Sequence, residues 1–148
     1  MTSTIVPEGF EASGFSPYSQ HIGPMLYKKE TDAEGKTTGL VGVAMTDTHI
    51  GGNNRGHGGL LLTLLDEAMG MNASIHRDYT PVVTLSMQTS FIAGTTPGQF
   101  LMATATVTHA TKSVAFVEGK AWCGDTLVGT ANGVWKYLNN PAYNKMPK

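Results

Sequence analysis

The chain is short of cysteine, of charge and of long apolar runs, and each shortage removes a class of protein. A lone Cys123 among 148 residues leaves no internal disulfide framework and no multi-cysteine metal site. Charged residues make up only 14% and the formal net charge is −1, so the electrostatics favour neither nucleic acid nor an anionic membrane as partner. No uninterrupted apolar stretch approaches membrane-spanning length, and the N-terminus lacks a basic segment followed by an apolar one. The expectation is a cytoplasmic protein. His21, His49, His76 and His109 show no metal-ligand spacing, so neither a metal nor a cofactor is expected. The hydrophobic content is 41%, and the length suits one domain able to bury a core, with no repeat or low-complexity segment.

What the chain does have is a proline-free stretch from Gly58 to about His76, dominated by Leu, Ala, Met and Glu. That composition predicts a helix. Leu60, Leu61, Leu62, Leu64 and Leu65 cover most of its circumference, which marks it as buried. Thr63, Asp66, Glu67, Gly70 and Ser74 fall within about 60° either side of one line at ~100° per residue, while Asn72 lies opposite. Two carboxylates on a buried helix need a reason, because an unpaired buried charge is costly.

Residues 1–36 read as a lead-in with a short helix from the N-cap Ser16 and Pro17 to His21, a short strand at 25–29 and a polar turn around Gly35. A strand is predicted over 37–46, followed by the glycine-rich run 51–59. Beyond the helix the period changes to 2. In 82–92, Val83, Leu85, Met87, Thr89 and Phe91 alternate with polar residues, which predicts a half-buried strand with those five facing inward. Strands at 100–108, 113–122 and 126–138 follow, the last two joined by a tight turn at Gly124-Asp125. Residues 139–148 read as a mobile polar tail. Four successive strands with hairpin-sized connections imply an antiparallel sheet, and the 58–76 helix is the element apolar enough to cover it. The architecture is α+β, a sheet curled around one long helix.

Asn53-x-Arg55-Gly56 running into His57-Gly58-Gly59 and then Leu64-x-Asp66-x-Ala68 resembles the hotdog-fold acyl-CoA thioesterases of the phenylacetate-pathway type. Pro7-Glu8-Gly9-Phe10, Ser16-Pro17-Tyr18, Val83-Thr84-Leu85, Phe91-Ile92, Ala115–Gly119 and Leu127–Gly133 also match, so the likeness spans about residues 7–138. Two features depart from that pattern. The loop between Gly56 and His57 is two residues shorter, and Ala93-Gly94 stands where Arg-Pro or Ser-Pro is common.

The resemblance implies thioester hydrolysis, which needs a donor for the developing oxyanion and a carboxylate to attack or to activate water. The free N–H groups at a helix start suit the first task, with Gly58 as the candidate donor and Gly59 keeping the approach open. Taken alone, the glycine pair serves a tight loop-to-helix turn equally well. The family motif assigns the carboxylate to Asp66, as nucleophile or general base, and leaves Glu67 as a structural partner. Without that motif, Asp66 could be a half-buried residue satisfied by Thr63, Asn54 or a backbone amide. The resemblance also implies that Thr84 holds the attacking water, that His57 orients the loop, and that Asn53 belongs to the catalytic set. Val83 and Ser113 are expected to line the substrate. Arg55, Lys112 and Lys136 are candidates for the phosphates of coenzyme A. Met69 and Met71 suit core packing better than an acyl pocket.

Gly58 and Asp66 lie eight residues apart, about 12 Å along one helix, and cannot reach the same carbonyl. Two helices packed antiparallel about a two-fold axis would bring Gly58 of one chain to Asp66 of the other, so a homodimer or a dimer of dimers is expected. The alternatives are a non-catalytic acyl-CoA sensor on the same fold, and a hydratase or dehydratase, whose catalytic histidine context is missing here.

Overall fold

The computed structural model describes residues 3–13 and 16–139. The expected mobile tail lies, from residue 140 onward, outside the described residues. The lead-in holds β1 (Glu11–Ala12), α1 (Pro17–Ile22) and β2 (Leu26–Thr31). Ser16 caps α1 as expected, its hydroxyl accepting the Ser19 N–H at 3.3 Å. β3 (Thr37–Ala44) leads through a single 3₁₀ turn (Asp47–His49) to α2 (Gly58–His76). β4 (Val82–Phe91), β5 (Phe100–Ala110), β6 (Val114–Cys123) and β7 (Thr126–Tyr137) complete the chain.

The seven strands form one antiparallel sheet in the order β1-β2-β3-β5-β6-β7-β4. This corrects one expectation from the spacing. β4 does not form a hairpin with β5; it pairs with β7 at the far edge, and the chain crosses over to place β5 beside β3. Loop length could not reveal this, since 92–99 fits a hairpin or a crossing equally well.

α2 lies in the concave face of the sheet. Leu60, Leu61, Leu64, Leu65, Ala68, Met69 and Ala73 are buried against Val41, Val43, Leu101, Ala103, Ala115, Val117, Ala121 and Trp135. The helix sits close to the strands. A Cβ at Gly119 would come within 2.8 Å of Met69, and one at Gly129 within 2.8 Å of Leu61. No helix among the described residues is long and apolar enough to cross a membrane.

Asn72, the residue that broke the helical pattern, has its explanation here. Its Oδ1 accepts the Gly39 N–H at 2.9 Å, and its Nδ2 donates to the carbonyls of Gly39 at 2.9 Å and Ala68 at 2.8 Å. The buried amide thus clamps α2 to the first half of β3. Replacing Asn72 with Ala strands the Gly39 N–H in the core and should lower stability by about 2–3 kcal/mol. A shift of the urea midpoint at unchanged m-value would show it.

Candidate active site

The start of α2 is built by its preceding loop. His49 is buried, its Nδ1 accepting the Thr46 N–H at 3.0 Å and its Nε2 donating to the Ile22 carbonyl at 2.8 Å. Its own carbonyl accepts the His57 N–H at 2.8 Å, and an Ile50–Gly56 bridge closes the loop. His57 is the N-cap of α2, its Nδ1 accepting the Gly59 N–H at 2.9 Å. That bond puts any neutral-state proton on Nε2 and commits His57 to orienting the helix start. Gly59 must lack a side chain here, since a Cβ would sit 2.9 Å from His57 Nδ1. With Gly59 and Leu60 both bonded back to His57, the Gly58 N–H has no acceptor within the described chain. The ring of Phe91 lies beside it, 3.1 Å from where a Gly58 Cβ would stand.

Asp66 is half-buried two turns further along, and its Oδ1 accepts the Thr84 hydroxyl at 2.6 Å. Neither Thr63 nor Asn54 satisfies it: the Thr63 hydroxyl donates to the Gly59 carbonyl at 2.9 Å. Strict alternation had turned Thr84 away from the helix and Val83 and Leu85 toward it. A bulge between Thr84 and Ser86 reverses the phase, so Thr84 faces α2 while Val83 and Leu85 are 42% and 56% exposed. Beyond the bulge Met87, Thr89 and Phe91 take the inward positions, as the alternation predicts, although Phe91 remains 56% exposed at the strand end.

Glu67, the rival carboxylate, is held by β2. Its Oε2 accepts the Tyr27 hydroxyl at 3.1 Å. Burial, together with the negative charge of Glu67, pushes Tyr27 up to about 12 against a lowering hydrogen bond from Ser19. Glu67 therefore has a structural partner on β2 and Asp66 one on β4, each carboxylate accepting a single hydroxyl at one of its oxygens.

The remaining candidates scatter. Asn53 is exposed and its Oδ1 accepts the Arg55 N–H at 3.2 Å, an Asx turn that shapes the shortened loop. Arg55 lies along Gly94 at the same end of α2. Lys112 and Ser113 are at the opposite end, where Arg77 stacks 3.7 Å from the Tyr137 ring and donates to the Lys112 carbonyl at 2.6 Å. Eleven helical residues, roughly 16 Å, separate that corner from Asp66. The structure thus groups Gly58, Gly59, His57, Asn53 and Arg55 at one point, Asp66 and Thr84 at a second, and Lys112 and Ser113 at a third. Tyr27, Phe91 and Gly94 were not candidates in the sequence. The one available signal was the missing Arg-Pro at 93–94.

Cys123 is buried, and desolvation raises its thiol to about 11. It should resist a disulfide thiol reagent at pH 8 and react fully only after denaturation. Since the folded state holds this proton more tightly than the unfolded chain, stability should fall as pH rises above about 9.

A curled antiparallel sheet around one long helix, with a bare amide at the helix start and a carboxylate two turns on, defines a hotdog-fold protein. A family model of the thioesterase superfamily matches residues 53–130, and the chain belongs to that superfamily. Its relatives include the protein named "Putative esterase PA0474" from Pseudomonas aeruginosa, 29% identical over 132 residues that span 88% of this chain and 96% of the relative. Among solved structures, the BH2602 protein of Bacillus halodurans, determined with CoA, superposes with a TM-score of 0.70 at 23% identity, covering 86% of this chain and 83% of that one. The PaaI protein of the Escherichia coli phenylacetic acid degradation operon shares the fold with a TM-score of 0.69 at 18% identity, covering 84% and 86%.

Proposed function

We propose that this protein hydrolyses acyl-CoA thioesters to the free acid and CoA, acting as a homo-oligomer. The observation that carries the reading is the pair of an acceptor-free Gly58 N–H at the start of α2 and an Asp66 carboxylate oriented by Thr84 at 2.6 Å. The thioester carbonyl sits on the Gly58 amide, where the helix dipole adds to the stabilisation of the oxyanion. Asp66 of the partner subunit then attacks the carbonyl or takes a proton from water, because about 12 Å of helix keeps the two groups of one chain apart. The exposed Leu62 on α2 and Leu85 on the edge strand β4 supply apolar surface for the two-fold contact. The CoA in the Bacillus halodurans structure supports a CoA ester as substrate class.

The experiment is release of free thiol from a panel of aryl, short, medium and long acyl-CoA esters, with the oligomeric state measured in the same buffer. Turnover by a dimer or larger is expected. Full activity from a monomer would sink the shared site, and tight binding of intact esters without thiol release would replace the enzyme with a binding protein.

A further inference from the structure

Between β3 and β5 the sheet opens. Their pairing runs from Ala44↔Phe100 to Leu40↔Thr104 and stops there. Neither strand ends at that point. β3 stays paired with β2 as far as Thr31↔Thr37, and β5 with β6 as far as Ala110↔Ala115. The C-terminal end of α2 closes the gap from inside, leaving a cleft of about 400 Å³. That size is in the range of small-molecule sites. Asn72 is the helical residue of the cleft nearest to Asp66, about 9 Å further along α2, so the cleft is separate from the proposed catalytic groups of its own chain.

Asn72 shows what the open strand edge accepts. At Gly39, where the ladder fails, its carboxamide stands in for a neighbouring strand. Oδ1 accepts the Gly39 N–H at 2.9 Å and Nδ2 donates to the Gly39 carbonyl at 2.9 Å. Backbone groups point to alternate neighbours along a strand. The Lys36 carbonyl accepts the Asp32 N–H at 3.0 Å, so Lys36 faces β2, and Thr37 faces the other way, as Gly39 does. Thr37 therefore presents a second N–H and C=O pair to the cleft, roughly 6.6 Å from the first. Its own hydroxyl is engaged with that of Thr31 at 2.9 Å.

The rest of the cleft is amphipathic. Ile75 of α2 and Val107 of β5 supply apolar walls, and Lys36 supplies an ammonium from the β2–β3 turn. Asp78, at the exit of α2, adds a carboxylate. This carboxylate and the negative end of the helix dipole turn an anion away from the α2 side and toward Lys36. Asp78 and Tyr79 also have φ of 42° and 61°, left-handed values that are costly at non-glycine residues. The Ser74 carbonyl holds that turn by accepting the Tyr79 N–H at 2.9 Å.

We infer that this cleft binds a small acid that carries an amide, of the kind found in N-acylated amino acids and short peptides. The amide pairs with the Thr37 backbone as Asn72 pairs with Gly39. An apolar side chain lies between Ile75 and Val107, and the carboxylate sits at Lys36. The site is independent of the thioesterase reading.

The test is an NMR titration of ¹⁵N-labelled protein with N-acetylleucine, glycylleucine, N-acetylleucinamide and 4-methylpentanoate. The first two should shift the Thr37 N–H and residues 105–107 with a Kd of roughly millimolar order, as suits such small ligands. Tighter binding of glycylleucine would identify peptides as the source, its ammonium meeting Asp78. N-acetylleucinamide, without the carboxylate, should bind about two- to fivefold more weakly than N-acetylleucine. 4-Methylpentanoate, without the amide, should bind about tenfold more weakly. Lys36→Gln should bring N-acetylleucine to the affinity of the leucinamide and leave the leucinamide unchanged. Val107→Phe should fill the cleft and abolish both, with a native-like spectrum elsewhere. The Lys36→Gln and ligand comparisons decide the matter if that variant does not fold. Equal binding of 4-methylpentanoate and N-acetylleucine would overturn the inference, because the cleft would not be reading an amide. So would shifts confined to Gly58 and Asp66, or no shift at about ten times the expected Kd.

Discussion

Asp66→Asn should abolish most thioester hydrolysis while leaving the fold intact. The asparagine is nearly isosteric, and its side-chain carbonyl still accepts the Thr84 hydroxyl that meets Asp66 Oδ1 at 2.6 Å. What is lost is the negative oxygen that attacks or accepts a proton. A general base is typically worth ~10²–10⁴ in rate, and loss of a covalent nucleophile costs about 10⁴ or more, so the size of the fall bears on which role Asp66 plays. Circular dichroism and gel filtration should match the native protein. The companion change Thr84→Val keeps the carboxylate but removes its orienting hydroxyl, and should cost about tenfold, roughly the worth of one charge-assisted hydrogen bond. Unchanged turnover in Asp66→Asn would move catalysis to Glu67 or elsewhere.

The second large effect is expected at a backbone atom. Gly58 is the first residue of α2, a position where proline is well tolerated because its missing N–H has no helical partner. The preceding residue, His57, has φ −63 and ψ 134, the extended region that a following proline demands. Gly58→Pro therefore deletes the proposed oxyanion donor with little backbone strain, and should lower kcat by ~10²–10³. Gly58→Ala adds a Cβ close to the Phe91 ring, 3.1 Å away, but keeps the N–H, and should retain most activity. Similar losses in both variants would trace the effect to crowding by Phe91 and remove the amide from the mechanism.

These two changes together test the shared site. If Gly58 and Asp66 come from different subunits, a mixed dimer of Asp66→Asn and Gly58→Pro chains carries one intact site and one doubly altered site. Random re-pairing of the two inactive proteins should restore about a quarter of native activity. No recovery, with mixed dimers demonstrated by mass spectrometry, would put each site within a single chain.

Much of this was legible in the residues because it depends on local order. The leucine-rich composition, the absence of proline and the cap at Ser16 set the helices, and alternation set the strands to within a few residues. Buried leucines and alternating strands also determine the layers, since one apolar helix and one amphipathic sheet have only each other to cover. The motif from His57 to Asp66 carried the proposed chemistry for the same reason: it runs along one continuous helix from its N-cap. Three features depended on contacts between distant segments. The pairing of β4 with β7 was decided by sheet packing. The bulge that turns Thr84 toward Asp66 came from one extra residue in an edge strand, which reverses the inward and outward faces between its two sides while leaving the composition unchanged. The hold of Arg55 on Gly94 joins loops 39 residues apart, and a glycine there looks like any other turn glycine until the arginine is seen to fill its space. Sequence order determined the elements and which of them carry the proposed reacting groups. Tertiary packing decided which way those groups point and what stands beside them.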